Sequence, residues 1–224
     1  KVDKNIPQGA SVEAFLRQER YRLIQKHCDK HTVVLMAHHL DDQAETVLMR
    51  LMHGCGVNGL GAMAPERHLY QGKLLRPFLG LLRSDLEAYA KDERLTWIED
   101  PSNSDLRYDR NFIRHELMPL LQKRFDKVPA KLAQTARIAR YYEQQHQQHI
   151  QTLLGHCFDP KLPYQLKLEP FEIFDKMDQC SMIKAWLHQI LDVGLSFSRL
   201  EEICDCLCHA KADAKLCMRI DAHW

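Results

Sequence analysis

Long apolar runs are missing from this chain of 224 residues; the longest, Val33 to Ala37, has five. A membrane-spanning helix needs about 20, so no helical span is expected. The opening residues, Lys1-Val-Asp-Lys-Asn5, lack the apolar core of a signal peptide. They also lack an initiator Met, and the expectation is a fragment or a processed chain. Excess charge of one sign is missing too: 31 Lys and Arg face 30 Asp and Glu, for a net +1. A global nucleic-acid signal is therefore absent, although a local patch can still exist. No Cys-x-x-Cys pair occurs among the eight cysteines. They read as free thiols in a reducing, cytoplasmic setting, because a chain of this length needs no disulfide framework. At 45% hydrophobic and 27% charged residues, the composition is that of a globular protein and excludes a disordered or fibrous one.

What is present reads first as a layered α/β pattern. Residues 11–31 predict a helix with Ser11 as its N-cap and Arg17, Arg20 and Arg22 among its apolar positions. Thr32 to Ala37 predicts a strand buried on both faces, as in a parallel sheet. Leu40 to His53 predicts a helix ended by Gly54. Four of the nine glycines lie between Gly54 and Gly61, so a mobile or tightly turned loop follows. Lys73–Arg76 and Leu95–Glu99 are strand candidates. Between them, Ser84 and Glu87 form a capping-box pattern for a helix through Asp92. Asp100 to Asp109 is turn-rich. Beyond Arg110 helical patterns dominate, with one strand candidate at Gln165–Leu168. The break at Arg124–Pro129 places a boundary near residue 125. The fold class expected is α/β, a partial Rossmann-like parallel sheet followed by a mainly α-helical second domain.

The densest chemistry is Ala37-His38-His39-Leu40-Asp41-Asp42-Gln43-Ala44-Glu45-Thr46, where the first strand gives way to a helix. Ligands bind at the carboxyl ends of strands in open α/β sheets. Asp41, Asp42 and Glu45 share one helix face in its first turn, and the helix dipole tolerates them there. Packed together they repel, so they call for a cation: a metal ion or a substrate ammonium. The plain alternative is an acidic first turn that serves only the dipole. Two histidines added to three carboxylates favour a site. A zinc deacetylase, a magnesium–nucleotide enzyme and a non-catalytic cation site could each use such a cluster.

Two other motifs carry less. Gly54-Cys55-Gly56-Val57-Asn58-Gly59 follows a helix instead of a strand, so it is not a dinucleotide fingerprint. A gating loop and a plain connector fit it equally. Cys204, Cys206 and Cys208 put two sulfurs on one helix face and one on the other, which favours core thiols over a metal set. Between Arg107 and Arg140, nine Lys or Arg residues stand against three acids. Such a stripe suits a phosphate backbone or, more plainly, a solvated helix face.

Five blocks in order then carry a resemblance. They are Ala37 to Thr46, Gly59-Leu-Gly-Ala-Met63, Leu75-Arg-Pro-Phe-Leu79, Glu99-Asp-Pro-Ser-Asn103 and Arg110-Asn-Phe-Ile-Arg-His-Glu116. Together the blocks resemble the tRNA(Ile)-lysidine synthetase family of the N-type ATP-pyrophosphatase superfamily. The resemblance is strong over residues 11–125. It implies residues 1–125 as the C-terminal portion of a catalytic domain of the adenine nucleotide alpha-hydrolase type, and 126–224 as a helical substrate-binding domain. It implies that ATP, with Mg2+, adenylates the wobble cytidine of an isoleucine tRNA with a CAU anticodon. Free L-lysine then displaces AMP to give lysidine. Asp42 and Glu45 are implied as the lysine and reaction site, with Asp41 beside them and at Mg2+. His38 and His39 would face nucleotide or cytidine, and Arg17 and Arg20 would meet phosphates. Arg110, Asn111 and Arg114 would touch tRNA or nucleotide, unless Asn111 and Arg114 only tie the domain junction. The family's S-G-G-x-D-S loop is expected upstream of residue 1 and its far C-terminal domain beyond this chain, so the 224 residues alone are expected to be inactive. Whether the protein is a homodimer stays open. Rivals are a tRNA thiolase, the zinc deacetylase and a non-catalytic tRNA-binding module.

Overall fold

The computed structural model describes residues 12–157, 161, 165–191 and 195–209. The chain divides into two compact units, Lys1–Tyr141 and Tyr142–Trp224. In the first, helix α1 (Val12–Gln25) leads to strand β1 (Val33–Leu35), helix α2 (Leu40–Met52) and the short α3 (Val57–Leu60). A hairpin of β2 (Glu66–Leu69) and β3 (Gly72–Leu75) precedes α4 (Arg83–Asp92) and a 3₁₀ turn (Pro101–Ser104). A helical run follows: α5 (Asp109–Phe112), a π turn (Ile113–Leu117) and α6 (Met118–Arg124). Helix α7 (Val128–Cys157) crosses the division, and the second unit adds α8 (Leu168–Phe171), α9 (Lys176–Leu191) and α10 (Phe197–Cys208). Among the described residues no helix is long and apolar enough to cross a membrane.

The sheet has the order β1-β3-β2. β1 and β3 run parallel, with Val33 opposite Lys73 and Leu35 opposite Leu75. That pairing, with α2 between the strands, is the α/β layer read from the sequence. The sheet is mixed, however, because β2 joins β3 antiparallel through the two-residue turn Tyr70–Gln71. Tyr70 takes φ 54 there, the left-handed conformation a tight hairpin turn demands. Gly72 opens β3 under a close approach: a Cβ on it would lie 2.4 Å from the Thr32 carbonyl oxygen and 2.8 Å from that of Asp29. Gly54, at φ 71, ends α2 as expected.

Several expectations are corrected. Helix α1 stops at Gln25 instead of reaching residue 31. The Asp29 carboxylate accepts from the Thr32 hydroxyl at 2.7 Å and the His31 amide at 2.9 Å, and this local turn replaces the helix. The Ser11 cap lies outside the described residues. β1 is not buried on both faces; Val33 is 51% and Leu35 65% exposed, because nothing among the described residues covers the face they share. Leu95–Glu99 forms no strand, and Ile98 is 96% exposed. Its alternating side chains suit a pleat, but no neighbouring strand pairs with it. Helix α4 begins two residues earlier than its capping pattern suggests: Leu82, not Ser84, is the N-cap, and its amide donates to Asp85 Oδ2 at 3.0 Å. At 165–168 only a single bridge forms, at Leu166, before α8 starts.

Ala44, Leu48, Ile113, Met118 and Val128 form the core between α2 and the 109–124 run. The π turn sits just ahead of Pro119. Proline lacks the N–H for an α-helical bond and its ring crowds the carbonyl four residues back, so a wider turn relieves both. In the second unit Ile150, Cys157, Phe171, Cys180, Met182, Ile183 and Cys204 make the core. Cys204 is fully buried, 3.5 Å from Cys180 Sγ, and burial first, then Cys180, pushes its thiol up to about 12. Cys206 is exposed and Cys208 half-buried, as helical spacing predicts, while Cys217 lies outside the described residues.

Gly72→Ala is expected to lower stability by about 1–3 kcal/mol, the usual cost of forcing a methyl into packed backbone. Gly80→Ala, where a Cβ meets nothing within 4 Å, is expected to stay within about 0.5 kcal/mol of the parent. Urea unfolding midpoints of the two variants test the pair.

Candidate active site

Parallel pairing sets the geometry. The Met36 amide donates to the Leu75 carbonyl at 2.9 Å, so β1 and β3 end side by side. The residues that follow, His38 and Arg76, meet there: Arg76 Nε lies 3.2 Å from His38 Nδ1. Helix α2 starts immediately afterwards. Its cap is internal, with the His39 amide donating to Asp42 Oδ2 at 3.0 Å. Asp42, Gln43, Ala44 and Glu45 are all buried.

Burying two carboxylates side by side is costly unless positive charge meets them. The cations come from the same chain, more than sixty residues away. Arg114 approaches Glu45 with both Nε and Nη2, at 2.6 Å to Oε1 and 3.0 Å to Oε2. Arg110 Nε lies 2.8 Å from Glu45 Oε2. The same two side chains reach Asp42 Oδ1 more loosely, at 3.2 Å from Arg114 and 3.4 Å from Arg110. Glu45 is 2% exposed and saturated by guanidinium. Asp42 is held more lightly. Burial alone would lower the Arg114 guanidinium, but its bonds to Glu45 and the charges of Glu45 and Asp42 outweigh this and hold it above its ordinary range.

Asp41 faces away from that pair. Its Oδ2 accepts from the Arg83 amide at 2.8 Å and stands 3.5 Å from His39 Nδ1. The His39 ring, against an opposing push from burial and with help from the Arg83 amide, keeps this carboxyl below the usual range. His39 bridges two acids, since its Nε2 is 3.4 Å from Asp42 Oδ2. Among the described residues no group of three or more His, Cys, Asp or Glu is arranged to hold a metal ion.

Of the residues singled out from sequence, Asp41, Asp42, Glu45, His39, Arg110 and Arg114 form one cluster, with His38 beside it. Arg17, exposed on α1, stacks 5.3 Å from the Tyr21 ring centroid and acts on His38 through its charge. Arg20 is exposed, with no contact to the cluster among the described residues. Asn111 braces the turn at 101–105, donating to the Ser102 and Asp105 carbonyls at 2.8 and 2.9 Å. Asp100 caps that turn by accepting from the Ser102 amide at 2.9 Å.

Sequence reasoning missed the residues that fix the glycine loop. Gln43 grips Met63 from both sides, donating to its carbonyl at 2.8 Å and accepting from its amide at 2.9 Å. Arg50 donates to the Gly59 carbonyl at 2.6 Å, and Arg140 to those of Gly61 and Met63. The loop is pinned, not free. Arg76 was also missed, although it stands inside the Leu75–Leu79 block.

Glu45→Ala leaves two guanidiniums facing a void and is expected to destabilise the protein by roughly 3–5 kcal/mol. Glu45→Gln keeps acceptor oxygen and is expected to lose less. Chemical denaturation of both variants measures the difference.

A PP-loop domain model matches residues 1–121. The chain is 40% identical to the tRNA(Ile)-lysidine synthase of Pseudomonas aeruginosa over 191 residues, 81% of this chain and 43% of that protein. It is 35% identical to the enzyme of that name in Histophilus somni over 216 residues, 95% of this chain and 49% of that one. With that of Pseudomonas fluorescens the identity is 48% over 128 residues, 57% and 29%. The chain thus spans about half the length, or less, of these relatives. With more than half of its residues matched and its acidic helix at the end of two parallel strands, the chain belongs to the PP-loop domain family.

Proposed function

We propose that the protein containing this chain is a tRNA(Ile)-lysidine synthase. The observation that carries the reading is the joining of two distant motif blocks, Ala37–Thr46 and Arg110–Glu116, in one carboxylate–guanidinium cluster. The relatives supply its name. In this reading ATP adenylates a carbonyl oxygen of the wobble cytidine in an isoleucine tRNA with a CAU anticodon, and pyrophosphate leaves. The ε-amine of free lysine then attacks that carbon and AMP departs.

The chain's own residues suit those steps unequally. Asp42, with its looser guanidinium contacts, is the carboxylate best able to take up the lysine ammonium and align it. Glu45 works through Arg110 and Arg114, fixing where their charges stand. Arg110 and Arg114 keep donors near the site for nucleotide or tRNA oxygen. Asp41 would be the carboxylate that helps to hold Mg2+, which would offset phosphate charge. His38 and His39 line the nucleotide or cytidine side, and Arg17 and Arg20 lie on α1, available to phosphate.

Full-length protein is incubated with ATP, labelled lysine and the CAU-anticodon isoleucine tRNA, beside an elongator methionine tRNA. Label is expected in the first tRNA alone and at least about 100-fold lower for Asp42→Asn, the scale set by lost alignment. Absence of label from the isoleucine tRNA overturns the reading.

A further inference from the structure

Arg76 is only 5% exposed, yet among the described residues no carboxylate pairs with it. Its Nη1 donates to the Ala64 carbonyl at 2.7 Å and its Nε to His38 Nδ1 at 3.2 Å. A guanidinium carries donors only and keeps its charge. His38 Nδ1 must therefore accept, and the ring's single proton must sit on Nε2. A doubly protonated ring would set N–H against N–H. His38 makes no other hydrogen bond among the described residues.

We propose that Arg76 is a positioning residue that locks His38 in the neutral Nε2–H tautomer, leaving Nε2–H as the ring's one donor to a substrate oxygen. The parallel pairing of β1 and β3 produces the contact, since the two residues follow strands that end together. Which oxygen His38 meets rests on the synthase reading; the tautomer does not. The charges around the ring agree with it. Burial foremost, with Arg76, Arg110 of α5 and Arg17 of α1, pushes His38 below its ordinary range, while Asp42 of α2 pulls the other way. Burial also depresses Arg76 itself, against a favourable contribution from Tyr21. A desolvated cation without a counter-charge costs stability, and orienting an imidazole is what this one does in return. A ring nitrogen held by a fixed partner is the usual means of choosing a histidine tautomer.

The test is a long-range proton–nitrogen correlation spectrum of the full-length protein labelled with 15N-histidine, with His38 identified by its loss in His38→Gln. At neutral pH the parent is expected to show an unprotonated Nδ1 and a protonated Nε2. Arg76→Met is expected to give mixed tautomers, a higher titration midpoint for His38 and roughly 10- to 100-fold slower lysine transfer, the size found when a group that orients a histidine is removed. Arg76→Gln retains a donor without the charge. It is expected to keep the tautomer and still raise the midpoint. A parent ring protonated on Nδ1, or an unchanged tautomer and midpoint in a folded Arg76→Met, overturns the proposal. Should Arg76→Met fail to fold, the parent and Arg76→Gln spectra decide. The expected tautomer in a protein that transfers no lysine would remove the synthase reading and leave this one standing.

Discussion

Two buried carboxylates on α2 need positive charge, and the first unit is organised around supplying it. Asp42 and Glu45 enter the interior on the first turns of a helix whose other face carries Ala44, Val47 and Leu48. Apolar packing alone would let α2 slide against the 109–124 helical run. The guanidinium contacts do not, because Arg114 must meet both oxygens of Glu45. Fork-to-fork geometry of this kind tolerates little displacement. Ile113, Met118 and Val128 then close the core beside it. Such an ion cluster adds little net stability over an apolar replacement, but it penalises every alternative register.

The sheet does a different job. Val33 and Leu35 share one face of β1, and their exposure shows that this face is not covered among the described residues. What the strands contribute is alignment. Parallel pairing delivers His38 and Arg76 to the same end, next to the start of α2. The loop that follows α2 is then tied back by Gln43, Arg50 and Arg140. Polar side chains here satisfy backbone groups of a glycine-rich segment that has little secondary structure of its own. A short sheet edge thus becomes a rigid rim with charged groups at fixed distances.

Much of this was legible from local pattern. The apolar run at 33–37, the helix after it and the glycine that ends it needed only periodicity and capping rules. β2 was not legible, because Glu66-Arg-His-Leu69 has one apolar residue and is a strand only through its hairpin with β3. Leu95–Glu99 misled for the converse reason: it has strand-like alternation but no neighbour. The cation demand of the acidic helix could be read, but its answer could not. Arg110 and Arg114 lie 65 to 72 positions from their partners, and no local rule spans that distance. The basic stripe, which reads as a phosphate-binding or a solvated face, hides the same answer. Arg110, Arg114 and Arg140 are instead engaged within the protein, while Arg107, paired with Asp105, does face solvent.

A single local conflict underlies both the misreading and the site. Asp42 and Glu45 are like charges three apart on a helix, and Arg110 and Arg114 are like charges four apart on a helical run. Each spacing disfavours its own isolated helix by a few tenths of a kcal/mol. Placed face to face, the two unfavourable pairs complement each other, since both guanidiniums bond Glu45 and both reach Asp42. Neither segment is at ease alone, so each favours the fold in which they meet. The π turn ahead of Pro119 belongs to the same compromise, since Arg114 is presented from within it. Local choices that contradict local rules are where a sequence departs from mere foldability. Here they coincide with the carboxyl end of the parallel strands, where α/β proteins bind their ligands, and the inconsistency is itself a marker of the site.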